Sequence, residues 1–131
     1  MADFEEEVEE ISNILQKGDE ISFAAAEIRA ERLKAEVQRS ECLEREARIA
    51  KVEVVLGTAQ AFLGKFDSAL KNLESALRKH LSFEALSLGY WNMAYEMLIK
   101  CRNRVNMLPE ARGIMMSFNE FKNIVRSELG E

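Results

Sequence analysis

Apolar side chains fall along this chain in runs at helical spacing, with polar residues filling the faces between them. Phe4, Val8, Ile11 and Leu15 recur at four, three and four residues, a narrow stripe that Ile14 widens late. The pattern predicts a helix from about Asp3 to Lys17. Asp3 stands at an N-cap position, and the glutamates after it suit the positive end of the helix dipole. Gly18 stops that helix and Asp19 caps the next. From Glu20 to Leu63 no stop signal intervenes, which predicts one very long helix of about 44 residues, roughly 66 Å. Ile21, Ile28, Ala35, Cys42, Ile49, Leu56 and Leu63 repeat every seven positions, yet Arg32, Arg39 and Glu46 interrupt the interleaved ones. A two-stranded coiled coil is therefore half supported. A second stripe, Ala26, Ala30, Leu33, Val37, then Leu43, Ala47, Ala50 and Val54, lies on another face. A domain of this size is only about 35 Å across. So long a helix either breaks around Gln38 to Ser40 or projects and self-associates through residues 20–50, most simply as a dimer.

The stretch from Val55 to Leu81 carries the densest signal. Leu56-Gly57, Ala59, Gly64, Phe66, Ala69, Leu73, Ala76 and Leu77 describe a helical hairpin. One helix ends at Leu63, Gly64-Lys65 makes the turn, and a second helix starts near Phe66-Asp67. Gly57 and Ala69 let the two backbones approach closely while Phe66 and Leu73 fill the space beside them. In these residues the chain resembles a tetratricopeptide-type (TPR) repeat, whose pattern runs Leu-Gly, a short gap, then Ala and an aromatic or aliphatic residue. Leu56, Gly57, Ala69 and Ala76 sit at that pattern's spacings, and Gly64-x-Phe66-Asp67 matches its turn. Glu53 and Gln60 stand where the family has aromatics, and Leu81 where it has a closing Pro.

Beyond the hairpin, Ser82 is an N-cap for a fourth helix from Phe83 to about Arg102. Its apolar stripe is Phe83, Leu86, Tyr90, Ala94, Met97 and Cys101, broadened by Leu88, Trp91, Met93 and Leu98. Pro109 suits the first turn of a fifth helix to about Leu129, with Ile114, Phe118, Phe121, Val125 and Leu129 on its apolar face. Ala111 lies 42 positions after Ala69, against about 34 in the family, so this second pair is a degenerate repeat. The expected architecture is all-α: helical hairpins stacked TPR-like, preceded by a short acidic helix and the very long one. A single domain spans 1–131, with an acidic helix at 1–18, the long helix at 20–63, the hairpin at 53–81 and the second pair at 82–131.

Composition narrows the function. No stretch approaches ~18 consecutive apolar residues, so no membrane span is expected. The acidic start MADFEEEVEE lacks the basic and apolar regions of a secretory signal. Cys42 and Cys101 lack CxxC spacing and read as buried free thiols, which points to the cytoplasm. Residues 1–20 hold eight acids against Lys17, a local −7 within a net charge of −5, so the body is weakly basic. Acids and bases alternate between 21 and 53, with pairs such as Glu41 before Arg45 supporting helix. The acidic head reads as a solvated face, or as a helix lying over basic residues further on.

Catalytic chemistry has little to build on. His80 is the only histidine, which excludes paired-His zinc and di-iron sites, and it sits where a cation suits a helix C-terminus. No glycine-rich phosphate loop occurs, so no cofactor is expected. Lys100, Arg102, Arg104 and Arg112 form a basic cluster around the last predicted turn. It is too sparse, and too poor in interleaved aromatics, for a strong nucleic-acid footprint. A solvated turn, or a dock for an acidic peptide or the acidic first helix, explains it as well.

The resemblance to TPR repeats implies protein binding along a groove lined by the first helix of each pair. Here that face would present Lys51, Val54, Thr58 and Phe62, then Leu88, Asn92 and Tyr95. Only Asn92 suits a peptide carboxylate, so the groove would take an apolar or amphipathic helix. Alternatively, these side chains pack under the N-terminal helix. The reading is a non-enzymatic adaptor or chaperone-like module. A small nucleic-acid-associated regulator using residues 100–112, or a purely structural coiled-coil assembly unit, are the alternatives.

Overall fold

The computed structural model describes residues 3–41, 43–83 and 86–104. They form five packed helices: α1 (Phe4–Leu15), α2 (Glu20–Arg39), α3 (Arg45–Phe62), α4 (Phe66–Phe83) and α5 (Leu88–Arg102), with no strand among the described residues. The predicted helix at 109–129, with Arg112 and Pro109, lies outside them.

The very long helix expected over 20–63 is two helices, and α2 ends at Arg39 with Ser40 as its cap, within the 38–40 stretch given as the alternative. Ser40 leaves the helix in an extended conformation (φ −80°, ψ 152°), and both its backbone N–H and its hydroxyl donate to the Val37 carbonyl, at 3.1 and 2.8 Å. A serine hydroxyl that bonds nearby backbone competes with helix continuation. The break lets α2 fold back on α3, so that Phe23 meets Phe62 at a ring-centroid distance of 4.6 Å. Of the heptad positions, Ile49 and Leu56 are thereby buried in the core while Ile21 and Ile28 stay exposed. They share no common seam.

α3 is the axis of the bundle. Every residue from Val52 to Phe62 is buried, and α1, α2, α4 and α5 all pack on it. A helix buried all round has lost the amphipathic period of a surface helix. Paired side chains give the directions. Glu53 meets Lys79 and Asn72 meets Gln60, so α4 runs antiparallel to α3. Phe23–Phe62 and Lys34–Glu53 make α2 antiparallel as well. Arg48 over the Phe4 ring and Lys51 on Glu5 set α1 parallel to α3.

Backbone approach is closest between α3 and α4. A Cβ at Gly57 would stand 2.8 Å from Leu73 Cγ and 3.3 Å from the Ala69 carbonyl oxygen, so only glycine fits there. α3 ends in a Schellman motif: Lys65 N–H donates to Gln60 O at 2.9 Å and Gly64 N–H to Ala61 O at 3.0 Å. Gly64 holds the left-handed φ of +78° that this cap requires.

Two expected caps differ. Asp3 makes no side-chain cap bond, whereas Asp19 accepts from Ser22 N–H at 2.7 Å. Ser82 does not open a helix, because α4 runs on to Phe83 and the next helix starts at Leu88. His80 ties that connection: its Nδ1 accepts from Leu86 N–H at 3.0 Å, a more specific role than a cation at a helix end. No helix among the described residues is long and apolar enough to cross a membrane.

Candidate interaction site

The seven residues expected to line a groove are divided by the fold. Val54, Thr58 and Phe62 are buried in the core, and Thr58 Oγ1 donates to the Val54 carbonyl at 2.7 Å. Phe62 packs on Phe23 of α2, and Val54 and Thr58 are almost completely covered, so the three do not form an open face. Lys51 is half-buried with its Nζ on Glu5 at 3.1 Å. On α5, Leu88 is exposed while Asn92 and Tyr95 are half-buried, and Tyr95 packs on Trp91 at 4.5 Å.

The basic cluster is partly neutralised. Lys100 bonds Glu96 at 3.0 Å; burial raises the Glu96 carboxyl above its ordinary value, and that lysine opposes the shift. Arg104 bonds Asp67 at 2.8 Å and lies over the Phe66 ring. Arg102 is exposed. The acidic helix finds its cations elsewhere, on Arg29 and Lys51 rather than at this turn.

A buried carboxylate sits at the centre of the α2–α3–α4 junction. Glu53 is 2% exposed, with Lys34 Nζ 3.2 Å from one oxygen and Lys79 Nζ 3.0 Å from the other. Lys79 also bonds Ser75 Oγ at 2.6 Å, and Lys34 bonds Asn72 Oδ1 at 2.9 Å. Asn72 Nδ2 in turn donates to Gln60 Oε1 at 2.8 Å. Further along the same seam, Lys65 Nζ meets the buried Glu27 at 2.7 Å. Among the described residues no buried side-chain polar atom lacks a partner. Both Glu53 oxygens are engaged, so this constellation ties three helices together and directs no group at a substrate. Glu53 and Gln60 occupy two of the positions where the resemblance expects aromatics, and here they join helices by polar bonds.

An open feature among the described residues lies at the corner where the start of α1, the second half of α2 and the start of α3 meet. It is a cleft of about 590 Å³. Only the edges of the buried Phe4, Leu33 and Val37 reach its floor, with Arg29, Arg32 and Arg48 set among Asp3, Glu7 and Glu36. Arg29 forks between Glu10 (2.6 Å) and Glu7 (3.3 Å), and the bond to Glu10 is the main reason its pKa rises above the ordinary value. Arg48 lies 5.1 Å from the Phe4 ring centroid. Arg32 and Glu36 are exposed. Burial, helped by the fields of Glu5 and Glu9, raises the Tyr90 hydroxyl pKa above its ordinary value.

Sequence reading missed both the seam and this cleft. A signal for the seam existed: Glu53, Thr58 and Gln60 are the polar residues in an otherwise apolar run from Val52 to Phe62, and such positions require partners. For the cleft no local signal exists, because Arg29, Arg32 and Arg48 come together only after the chain reverses at Ser40. Among the described residues no group of three or more His, Cys, Asp or Glu is placed to hold a metal. No protein-family model, curated protein or solved structure matches this chain.

Proposed function

We propose that the protein is a non-enzymatic interaction module, an adaptor or chaperone-like unit that holds a segment of another protein. The observation that carries this reading is the corner cleft: apolar lining beside arginines and carboxylates of both signs. Apolar centres with polar rims are how proteins recognise protein segments. With Asp3, Glu7 and Glu36 balancing Arg29, Arg32 and Arg48, the cleft lacks the net positive charge that phosphate backbones call for. The regulator reading, based on the turn at 100–112, has less behind it because Glu96 and Asp67 occupy Lys100 and Arg104. TPR-like stacking is part of the proposal. Its support is that each helix packs on the next and α3 also packs on α1 and α5, with α3 and α4 meeting through Gly57 and Ala69. A reducing compartment such as the cytoplasm suits the free, buried Cys101.

The test compares the proteins retained by the native chain with those retained by an Arg32→Glu, Glu36→Arg double variant. Both side chains are exposed, so the variant keeps the native melting temperature. A partner held by the native chain and released by the variant supports the cleft; equal retention overturns it.

Self-association is a second reading, favoured by one observation. Ile21 is 84% and Ile28 50% exposed on the outer face of α2, with exposed Ala25 between them. Ile21→Glu with Ile28→Glu would convert a dimer to a monomer in light scattering. An unchanged mass would remove this reading.

A further inference from the structure

The interaction reading leaves open what kind of segment is bound, and α1 answers that question from within the chain. α1 is an amphipathic acidic helix laid along α2 and α3. Its stripe of Phe4, Val8, Ile11 and Leu15 is buried, and its other faces carry Glu5, Glu7 and Glu10. Those acids reach cations on both supporting helices: Glu7 and Glu10 meet Arg29 on α2, and Glu5 meets Lys51 on α3. The surface beneath α1 therefore selects for an apolar stripe flanked by carboxylates.

α1 does not fill its track. With 12 residues it spans about 18 Å, while α2 with 20 spans about 30 Å. Beyond Phe4 the track continues as the open cleft, over Leu33 and Val37 and past Arg32. A helix some two turns longer than α1 would cover both the occupied and the open parts. Each end of α1 lacks a usual helix-end complement. Its N-cap residue Asp3 makes no side-chain cap bond, and its last turn carries no basic residue. Its C-terminal end leads into Gly18, which holds a left-handed φ of +76° in the short link to α2.

We infer that the α2–α3 surface is a receptor for an acidic amphipathic helix of a partner protein, and that α1 is its built-in occupant, displaced when that helix binds. This rests on the interaction reading above and names both its ligand class and its regulation. An intact chain binds such a helix more weakly than a chain with α1 released, in proportion to the fraction of time α1 is away.

The probe is a fluorescent synthetic peptide of residues 3–16, titrated against three full-length proteins: the native chain, a Glu7→Lys, Glu10→Lys variant that sets α1 against Arg29, and that variant with Arg29→Glu added. The released variant is expected to bind the peptide at least tenfold tighter than the native chain, with loss of affinity as salt rises. Adding Arg29→Glu is expected to cost tenfold or more. Equal affinity for the native and released chains, or no binding to a released chain of native helical content, overturns the inference. Native-state hydrogen exchange provides a check that needs no variant. The α1 amides should exchange through an opening separate from that of α2–α4, and exchange of all of them only by global unfolding also overturns it. All three proteins keep Arg32 and Glu36 native. Failure here with success of the Arg32→Glu, Glu36→Arg test therefore removes the stand-in role of α1 and leaves the cleft reading in place.

Discussion

The junction of α2, α3 and α4 and the corner where α1 lies on α2 and α3 use the same ingredients to opposite effect. Both pair carboxylates with lysine or arginine over apolar side chains. At the junction Glu53 is almost completely buried between Lys34 and Lys79, and its neighbours Asn72, Gln60 and Ser75 complete a closed set of bonds. At the corner, Glu10 and Arg29 meet with much of each side chain in water, and the apolar lining continues into an open cleft. Burial decides what an ion pair does. A buried pair penalises any rearrangement that separates it, whereas an exposed pair contributes little and can be exchanged. The junction is built to stay shut, while the ion pairs at the corner lie where water can replace them.

The strongest way to break that contrast is to remove both lysines from Glu53. Lys34→Met with Lys79→Met should cost about 3–5 kcal/mol, because a buried carboxylate is left uncompensated. Urea denaturation measures it, and adding Glu53→Leu should restore most of the loss. A double variant as stable as the native chain would show that the seam is no lock. Next in size is Ala69→Leu, which forces a larger side chain into the contact where Gly57 meets Ala69 and Leu73; about 1–3 kcal/mol is expected by overpacking. An unchanged melting curve would contradict that close approach. At the corner, Glu10→Ala should cost less than about 1 kcal/mol, and the difference should shrink in high salt. A loss as large as that at Glu53 would erase the distinction between the two regions.

The mildest probe alters no contact. Burial pushes the Cys101 thiol up to about 11, from an ordinary 9.0, with Arg104 opposing. The folded chain thus keeps this proton where the unfolded chain has released it. Cys101 favours the native state fully below pH 9, and that contribution falls away as pH rises from 9 towards 11. In a Cys42→Ser background, alkylation at pH 8 should be slow until denaturant is added. Rapid labelling of the native protein would show that α5 opens more readily than its packing implies.

Much of the helix pattern is legible before any coordinates. The stripe Phe4, Val8, Ile11, Leu15 reads as α1 and is buried as a stripe. Gly64 marks the turn between α3 and α4, because a left-handed cap favours glycine wherever it occurs. Gly57 reads as a close-approach residue, and Leu73 and Ala69 are what it approaches. The stop at Ser40 is legible only as an alternative, from a helix too long for its domain, and no residue there obliges it. A serine within a helical run carries no obligation to stop it, and the stop follows from the gain of folding α2 onto α3. That one reversal undoes both the long helix and the groove through Val54, Thr58 and Phe62.

Local order thus settles where helices form, where glycine must turn the chain and which faces are apolar, since those depend on neighbours within a turn or two. It also settles that Glu53 needs partners, without saying which. The partners, Lys34 and Lys79, lie 19 and 26 positions away on different helices. The corner cleft likewise joins side chains from α1, α2 and α3. Which surface is sealed and which remains open is decided by how five helices share one core, and that competition for burial has no local signature.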